Sequence, residues 1–162
     1  MMAAPDDAEC WICLEGGDDE AGNQLVRDCS CRGDSAGFAH LSCLGKYAEQ
    51  ICEQSTTRHA FDLPWEICPN CKQRYQNDLA LDMANAFVSF AEMSYGNSGN
   101  SPEDKMRVIS SLQSKIETCD NIFREQTPRS DKHGTLKVEI ETLIKKILSM
   151  VDQTKKDLTM NR

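Results

Sequence analysis

Eight residues with the chemistry of metal ligands fall into four close pairs along the first 71 residues. In chain order the pairs are Cys10 with Cys13, Cys29 with Cys31, His40 with Cys43, and Cys68 with Cys71. Zinc in proteins takes four tetrahedral nitrogen or sulfur ligands, and a close pair on a tight turn supplies two of them. The four pairs therefore predict two structural zinc ions, each with four protein ligands and no open position for water.

Cysteines can also serve as core residues or form disulfides, and neither role fits this pattern. Unconnected buried cysteines are common in protein cores, but they would not fall into four short pairs. Disulfides need an oxidising compartment, and the start of the sequence, Met-Met-Ala-Ala-Pro-Asp-Asp, has neither the basic residues nor the apolar run of a signal peptide. The longest apolar patch, residues 86–91, is far shorter than the ~20 residues that cross a bilayer. We therefore expect a soluble protein of the cytosol or nucleus, with no membrane partner.

Four further cysteines and histidines have no partner at ligand spacing. Cys119 lies on an apolar helical stripe, and Cys52 lies on a helix expected after Cys43, so both are predicted core residues. His59 and His133 are expected at the surface. None of the four is expected to form a third metal site.

The charge is distributed unevenly. Residues 1–100 contain 16 Asp and Glu against 6 Lys and Arg, whereas residues 101–162 contain 10 and 12, which gives the net charge of −8. Proteins that bind nucleic acids usually show a basic patch, and none is visible here. A basic protein surface is a better expectation for a partner than DNA or RNA.

The composition divides the chain into three parts. Residues 1–9 are expected to be a flexible tail, and residues 10–76 are rich in Cys, Gly, Asp and Ser, which is typical of a loop-rich domain held together by metal. Residues 77–162 are predicted to form an α-helical region of about three helices, which binds a partner or begins a helical repeat array.

Apolar residues at three- and four-residue spacing define these three helices. The first, 79–95, carries Leu79, Met83, Phe87, Phe90 and Ala91 and stops in the Gly-Asn-Ser-Gly-Asn turn at 96–100. The second, about 102–125, starts after Ser101 as a cap, with Pro102 in the first turn. The last, about 135–157, follows a breaker at 127–134. Their apolar residues are Met106, Ile109, Leu112, Ile116, Cys119 and Phe123 in the second, and Leu136, Ile140, Leu143, Ile147, Met150 and Val151 in the last.

The ligand order, with cysteine in fourth place and histidine in fifth, resembles the RING-CH zinc finger (RING variant) of membrane-associated ubiquitin ligases and their soluble relatives. Cys-Ser-Cys-Arg-Gly at 29–33 and Phe-Ala-His-Leu-Ser-Cys-Leu at 38–44 are similar to that family. A plain RING has two or three residues between its fourth and fifth ligands, whereas eight stand here. A PHD finger shares the order but separates its third and fourth ligands by at least two residues, and Trp65 shortly before Cys68 is a PHD-like feature.

The resemblance covers residues 10–75 and implies a small zinc-stapled α+β RING-type cross-brace domain. In a cross-brace the first and third pairs share one zinc ion and the second and fourth pairs share the other. The implied ligands are Cys10, Cys13, His40 and Cys43 for the first zinc, and Cys29, Cys31, Cys68 and Cys71 for the second.

The resemblance also implies a function. RING-type ubiquitin ligases have no catalytic residues of their own; they dock a ubiquitin-conjugating enzyme and hold its thioester-linked ubiquitin in a reactive pose for transfer to a protein substrate. The docking positions of the family match Ile12, Tyr47, Pro69 and Lys72. Tyr47 stands where the family has Trp, and Lys72, or at a stretch Arg74, stands where many members have Arg. Two alternatives stay open: a non-catalytic zinc-dependent protein-interaction module, and a PHD-like reader of histone tails.

Overall fold

The computed structural model describes residues 4–33, 36–54, 58–96, 101–125 and 131–160. Within these stretches the chain forms five α-helices, α1 Leu41–Gln54, α2 Arg58–Glu66, α3 Asn77–Tyr95, α4 Pro102–Glu125 and α5 Asp131–Met160. The chain divides into two compact units, Met1–Phe87 and Val88–Arg162, and α3 contributes to both. None of the helices in the described stretches has the length and apolar character needed to cross a membrane.

The described part of the first unit contains isolated β-bridges in place of strands. The bridges are antiparallel and join Glu9 to Gly16, Val26 to Ala39, and Ile67 to Arg74. The prediction of an α+β fold is therefore wrong in its β part. Two of the bridges close tight turns around ligand pairs, and each remains a single bridge. The described stretches contain five helices. Helix α1 is the helix expected after Cys43 and begins between His40 and Cys43, α2 precedes Cys68 and was not predicted, and α3, α4 and α5 form the predicted helical region.

Aromatic packing organises the first unit behind the ligand pairs. Trp65 of α2 is 2% exposed, and its ring stacks on Phe87 of α3 with centroids 5.2 Å apart. Its indole N–H donates to the Cys52 Sγ of α1 at 3.1 Å. Phe61 packs against Phe87 as well, at 5.3 Å. Trp65 thus ties α1, α2 and the first half of α3 together. The prediction that Cys52 belongs to the core is confirmed.

The last residues of the segment before Cys10 are part of the folded domain. Ala8 is 2% exposed, its N–H donates to the Pro5 carbonyl at 3.0 Å, and Glu9 bridges Gly16. The expected tail, residues 1–9, therefore contributes its last two residues to the turn that carries Cys10.

The second unit has its own apolar core. The Ser101 hydroxyl accepts from the Asp104 N–H at 3.2 Å and so caps α4, as its position before Pro102 predicts. Burial confirms the α3 stripe, but Met106 of α4 is 48% exposed and Val108 is buried in its place. The core of this unit consists of Ala91, Val108, Leu112 and Leu143, with Val88, Tyr95, Ile116, Ile147 and Met150 packed around it.

Helix α5 begins earlier than predicted. It starts at Asp131, so it runs through Gly134, which the sequence placed in a breaker. A single glycine destabilises a helix by only about 1 kcal/mol relative to alanine. That penalty is small for a helix of 30 residues. Residues 97–100 of the turn predicted at 96–100, residues 127–130 of the breaker predicted at 127–134, and the side chains of His59 and His133 lie outside the described part of the structure.

Candidate metal centre

The structure brings the eight ligand-type residues into two groups. In each group one ligand atom from every residue lies within 4.8 Å of all the others. The groups are Cys10, Cys13, His40 and Cys43, and Cys29, Cys31, Cys68 and Cys71. The first group therefore combines the first and third pairs, and the second combines the second and fourth, which is the interleaved arrangement of a cross-brace. Among the described residues, these are the two groups that could hold a metal ion.

The distances within the groups fit zinc. Tetrahedral zinc with Zn–S near 2.3 Å and Zn–N near 2.0–2.1 Å places two sulfurs about 3.8 Å apart, and a sulfur and a nitrogen about 3.6 Å apart. The Cys31 and Cys68 sulfurs are 3.7 Å apart. His40 Nδ1 lies 3.4 Å from the Cys13 sulfur and 3.8 Å from the Cys43 sulfur. Both groups thus have the size and donor set of a closed four-ligand zinc site.

The first and last ligand pairs sit on turns of the same construction. The N–H of Leu14 donates to the Cys10 carbonyl at 2.8 Å, and the N–H of Lys72 donates to the Cys68 carbonyl at 2.9 Å. Leu14 and Lys72 also share a left-handed backbone, with φ of 64° and 59°. This repeated turn points both sulfurs of a pair to one side. It could not be predicted from the sequence, because the two turn residues are unrelated in type.

His40 reaches the first group through Nδ1, and its other ring nitrogen is bound to the backbone. Nε2 lies 3.1 Å from the carbonyl oxygen of Gly17, which can only accept, so Nε2 carries the proton. That proton fixes the tautomer in which Nδ1 has a free lone pair for a metal, the usual role of an outer partner of a ligating histidine. His40 is 2% exposed, so its ring is held in place. Gly17 was missed by sequence reasoning, because a backbone carbonyl leaves no mark in residue type.

The backbone sets the proton affinities of the thiols. Burial alone would raise the pKa of Cys10, but the N–H groups of Cys13, His40 and Ile12 lower it to about 7. Burial would likewise raise the pKa of Cys71, yet the N–H groups of Gln73 and Ser30, together with its neighbouring thiols, lower it to about 7. Such N–H donors favour the thiolate, which is the form that binds metal. Each group therefore contains one thiol prepared for ionisation at neutral pH.

Three thiols of the two groups, those of Cys43, Cys31 and Cys29, show the opposite shift. Burial and then the neighbouring thiols raise the pKa of Cys43 to about 12, and burial also raises the pKa of Cys31 to about 11. Burial raises the pKa of Cys29 beyond its usual range. Crowded thiolates repel one another, and a divalent cation relieves that repulsion, which is the chemistry expected of a metal-binding thiol cluster.

A tight loop supports the second group. Arg27 donates from Nη1 to the carbonyls of Gly33 at 2.6 Å and Ala36 at 3.0 Å, and its guanidinium lies 4.4 Å from the centre of the Phe38 ring. Gly37 has φ of +82°, and a Cβ there would lie 2.6 Å from the Cβ of Cys31. Glycine at 37 therefore lets the loop pass directly against a ligand of the second group.

The family comparison decides what these two groups are. The family model of the RING-variant domain matches residues 10–71, the span from the first to the last ligand. Residues 10–71 are a RING-variant domain. Two complete Cys/His groups in such a domain bind two zinc ions, so the predicted cofactors are confirmed. No ligand position in either group is left for water, which assigns the zinc a structural role.

The comparison with curated proteins extends the likeness to a ligase. The chain is similar to the E3 ubiquitin-protein ligase MARCHF5 of Xenopus laevis, with 29% identity over 69 residues. That alignment covers 43% of this chain and 22% of the relative, so the chain matches about a fifth of that protein's length. No solved structure matches the chain.

The predicted docking residues lie on two ligand turns and on helix α1 of the RING-variant domain. Tyr47 of α1 makes an edge-on ring contact with Trp11, the neighbour of Ile12, with centroids 5.8 Å apart. Ile12 and Pro69 are partly exposed, and Lys72 is exposed. Arg74, the second choice for the cationic position, pairs with Glu66 at 2.9 Å. The structure thus joins Tyr47 to the Cys10–Cys13 turn and leaves Lys72 facing solvent.

Proposed function

We propose that this chain is a ubiquitin-protein ligase whose RING-variant domain docks a ubiquitin-conjugating enzyme and promotes ubiquitin transfer to a protein substrate. One observation carries the proposal: a complete set of zinc ligands, folded into two closed groups, lies in a RING-variant domain of a chain that is similar over 69 residues to a ubiquitin ligase. The domain contributes position and not covalent chemistry, since holding two reactants in a reactive geometry is itself a large source of rate.

In this proposal the two zinc ions act only through the shape they impose. Cys10, Cys13, His40 and Cys43 hold the first ion, and Cys29, Cys31, Cys68 and Cys71 hold the second. The metal fixes the backbone of residues between paired ligands, and Ile12 and Pro69 are such residues. Their side chains are therefore presented in one orientation, and binding a conjugating enzyme costs little ordering entropy.

An apolar surface is the basis of the docking proposal. The residues that form it are Trp11, Ile12 and Tyr47, which the ring contact between Trp11 and Tyr47 brings together. All three are partly exposed, and so is Pro69 on the Cys68–Cys71 turn. Partly buried aromatic and aliphatic groups on rigid turns are typical anchors of protein interfaces.

Lys72 is the better candidate than Arg74 for the cation that touches the bound ubiquitin. Arg74 pairs with Glu66, so moving it to a new partner would leave that carboxylate without its cation. Lys72 is exposed and follows directly after the last zinc ligand, on the left-handed turn that the zinc group fixes. A lysine supplies charge but not the planar fork of arginine, so we propose a weaker contact than an arginine would give.

A second candidate function has one observation in its favour. Tyr47 stands where the family resemblance calls for tryptophan, and its ring already rests edge-on against Trp11. A tyrosine ring is smaller than a tryptophan ring, and a ring already in contact with Trp11 offers less surface to a conjugating enzyme. On this alternative the chain is a zinc-dependent protein-interaction module of the cytosol or nucleus without ligase activity.

The discharge of ubiquitin from loaded conjugating enzymes to free lysine separates the two functions. A ligase should accelerate discharge with at least one enzyme of a panel, and Ile12→Ala should reduce that acceleration about thirtyfold, because losing an anchor costs ~2 kcal/mol and 1.4 kcal/mol is tenfold. Tyr47→Trp should increase it. Val138→Ala removes an exposed apolar side chain from the second unit and serves as the control. If the zinc-loaded wild type accelerates discharge from none of the enzymes, the chain is an interaction module and not a ligase.

A further inference from the structure

Two parallel contacts tie the loop after Cys13 to the start of α1. His40 Nε2 donates to the Gly17 carbonyl at 3.1 Å, and the Ser42 hydroxyl donates to Asp19 Oδ2 at 2.8 Å. Both contacts join residues 23 apart in the sequence. Residues 17–19 therefore run beside residues 40–42 in one register, and a shift of the loop would affect both contacts together.

Asp19 organises the loop that contains it. Its Oδ1 accepts from the N–H of Ala21 at 3.0 Å and from the N–H of Asn23 at 2.8 Å. The backbone closes the same turn, since the N–H of Asp19 donates to the Asn23 carbonyl at 2.9 Å. With Oδ1 holding the turn and Oδ2 holding Ser42, one carboxylate fixes both the shape of the loop and its attachment to α1.

The charge of Asp19 suits this position. The Asn23 N–H, followed by the Ser42 hydroxyl, lowers the pKa of Asp19 to about 2, so the carboxylate is ionised at every physiological pH. Helix α1 has no acidic residue in its own first turn. Asp19 supplies a negative charge from another part of the chain, beside a helix start where a negative charge is favourable.

The contact between Asp19 and Ser42 lies beside the first zinc group. Gly17 is two residues from Asp19, and His40 is two residues from Ser42, so the carboxylate–hydroxyl contact lies next to the carbonyl–imidazole contact. Gly17 has φ of +76° and, as a glycine, no side chain that could anchor it to its surroundings. The loop contacts of Asp19 therefore help to set the position of the Gly17 carbonyl.

We propose that Asp19 and Ser42 are positioning residues that hold the Gly17 carbonyl on His40 and thereby raise the metal affinity of the first group. The proposal rests on the zinc assignment made for Cys10, Cys13, His40 and Cys43 above. Removing such an outer partner of a ligating histidine typically lowers metal affinity 10- to 100-fold. The effect should be confined to the first group, because the second group contains no histidine.

Cobalt(II) titration of the full chain tests this directly. Cobalt bound by three thiolates and an imidazole absorbs at different visible wavelengths from cobalt bound by four thiolates, so the two groups can be followed separately, and competition with zinc gives each affinity. Ser42→Ala should weaken the first group about tenfold and leave the second unchanged. It should also speed the exchange of the His40 Nε2 proton with water, as observed by NMR.

Three further variants make the result specific. Ser42→Thr keeps the hydroxyl and should keep wild-type affinity, whereas Asp19→Ala should weaken the first group at least as much as Ser42→Ala. Asp18→Asn changes the same charge one residue away and should have no effect. Unchanged affinity in Ser42→Ala, equal weakening of both groups, or an equal effect of Asp18→Asn would overturn the positioning role of Asp19 and Ser42. A wild type that shows neither cobalt spectrum would instead overturn the zinc assignment itself.

Discussion

At the scale of single residues, the surroundings of each sulfur separate two kinds of cysteine. Cys29 lies among three other thiols of the second group. Cys119 is fully buried on α4, and burial raises the pKa of its thiol to about 11, so it stays a neutral, unreactive core residue. The same residue type therefore serves as a metal ligand in one place and as a small apolar side chain in the other.

This difference predicts opposite outcomes for one substitution at the two sites. Cys29→Ser leaves a weak alcohol ligand among three thiolates, so the chain should lose one of its two zinc ions. Cys119→Ser should keep both ions and lose about 1–2 kcal/mol of stability, because a hydroxyl replaces a thiol in an apolar core. Zinc content of both variants by metal analysis, with thermal unfolding as the stability measure, checks the pair. Equal zinc loss in the two variants would contradict the assignment of Cys29 as a ligand.

At the scale of elements, two glycines differ in the space that the structure leaves for a side chain. Gly134 lies in the first turn of α5, and a Cβ there would meet nothing within 4 Å. Gly37 lies in the loop against Cys31, where a Cβ would collide with that ligand and where φ is +82°. One glycine is thus replaceable, and the other is required by a close approach.

Alanine at these two positions should act in opposite directions. Gly134→Ala should stabilise the second unit by about 0.5–1 kcal/mol, because alanine loses less backbone entropy in a helix. Gly37→Ala should weaken the second zinc group by forcing strain onto Cys31. Thermal unfolding measures the first effect, and zinc competition measures the second. A neutral Gly37→Ala would show that the loop does not hold the ligand as described.

The helices that could be predicted from the sequence are those whose apolar residues recur at helical spacing. Helices α3 and α4 were predicted to within two residues, since Leu79, Met83 and Phe87 follow the helical period closely. Helix α2 was missed because it is only nine residues long and contains Pro64. The ligand groups could be predicted because cysteine and histidine are chemically specific. The Gly17 carbonyl could not, because every residue has one.

At the scale of the whole molecule, the two compact units have different sources of stability. The second unit has an apolar core of helix side chains, with ion pairs between Lys115 and Glu139 at 2.6 Å and between Lys105 and Asp157 at 2.6 Å. The first unit depends on its metal groups, since structural zinc contributes on the order of 10–16 kcal/mol of apparent binding free energy. We therefore expect the metal requirement to be confined to the first unit.

Chelation should show this division. Removing zinc should abolish the hydrogen-exchange protection of residues up to Phe87, including α1, α2 and the first half of α3. Protection around Leu112 and Leu143 in the second unit should remain. A loss of protection that is uniform along the chain would show that the second unit depends on the metal as well.

The zinc content of the intact chain tests the two-zinc assignment most directly, measured by native mass spectrometry of protein purified without chelators. Two closed groups of four ligands predict a mass higher than that of the bare polypeptide by two zinc ions, with one ion lost in the Cys29→Ser variant. A wild-type chain that carries one zinc ion or none would contradict the two-zinc RING-variant domain, and with it the docking surface that the zinc ions hold in place.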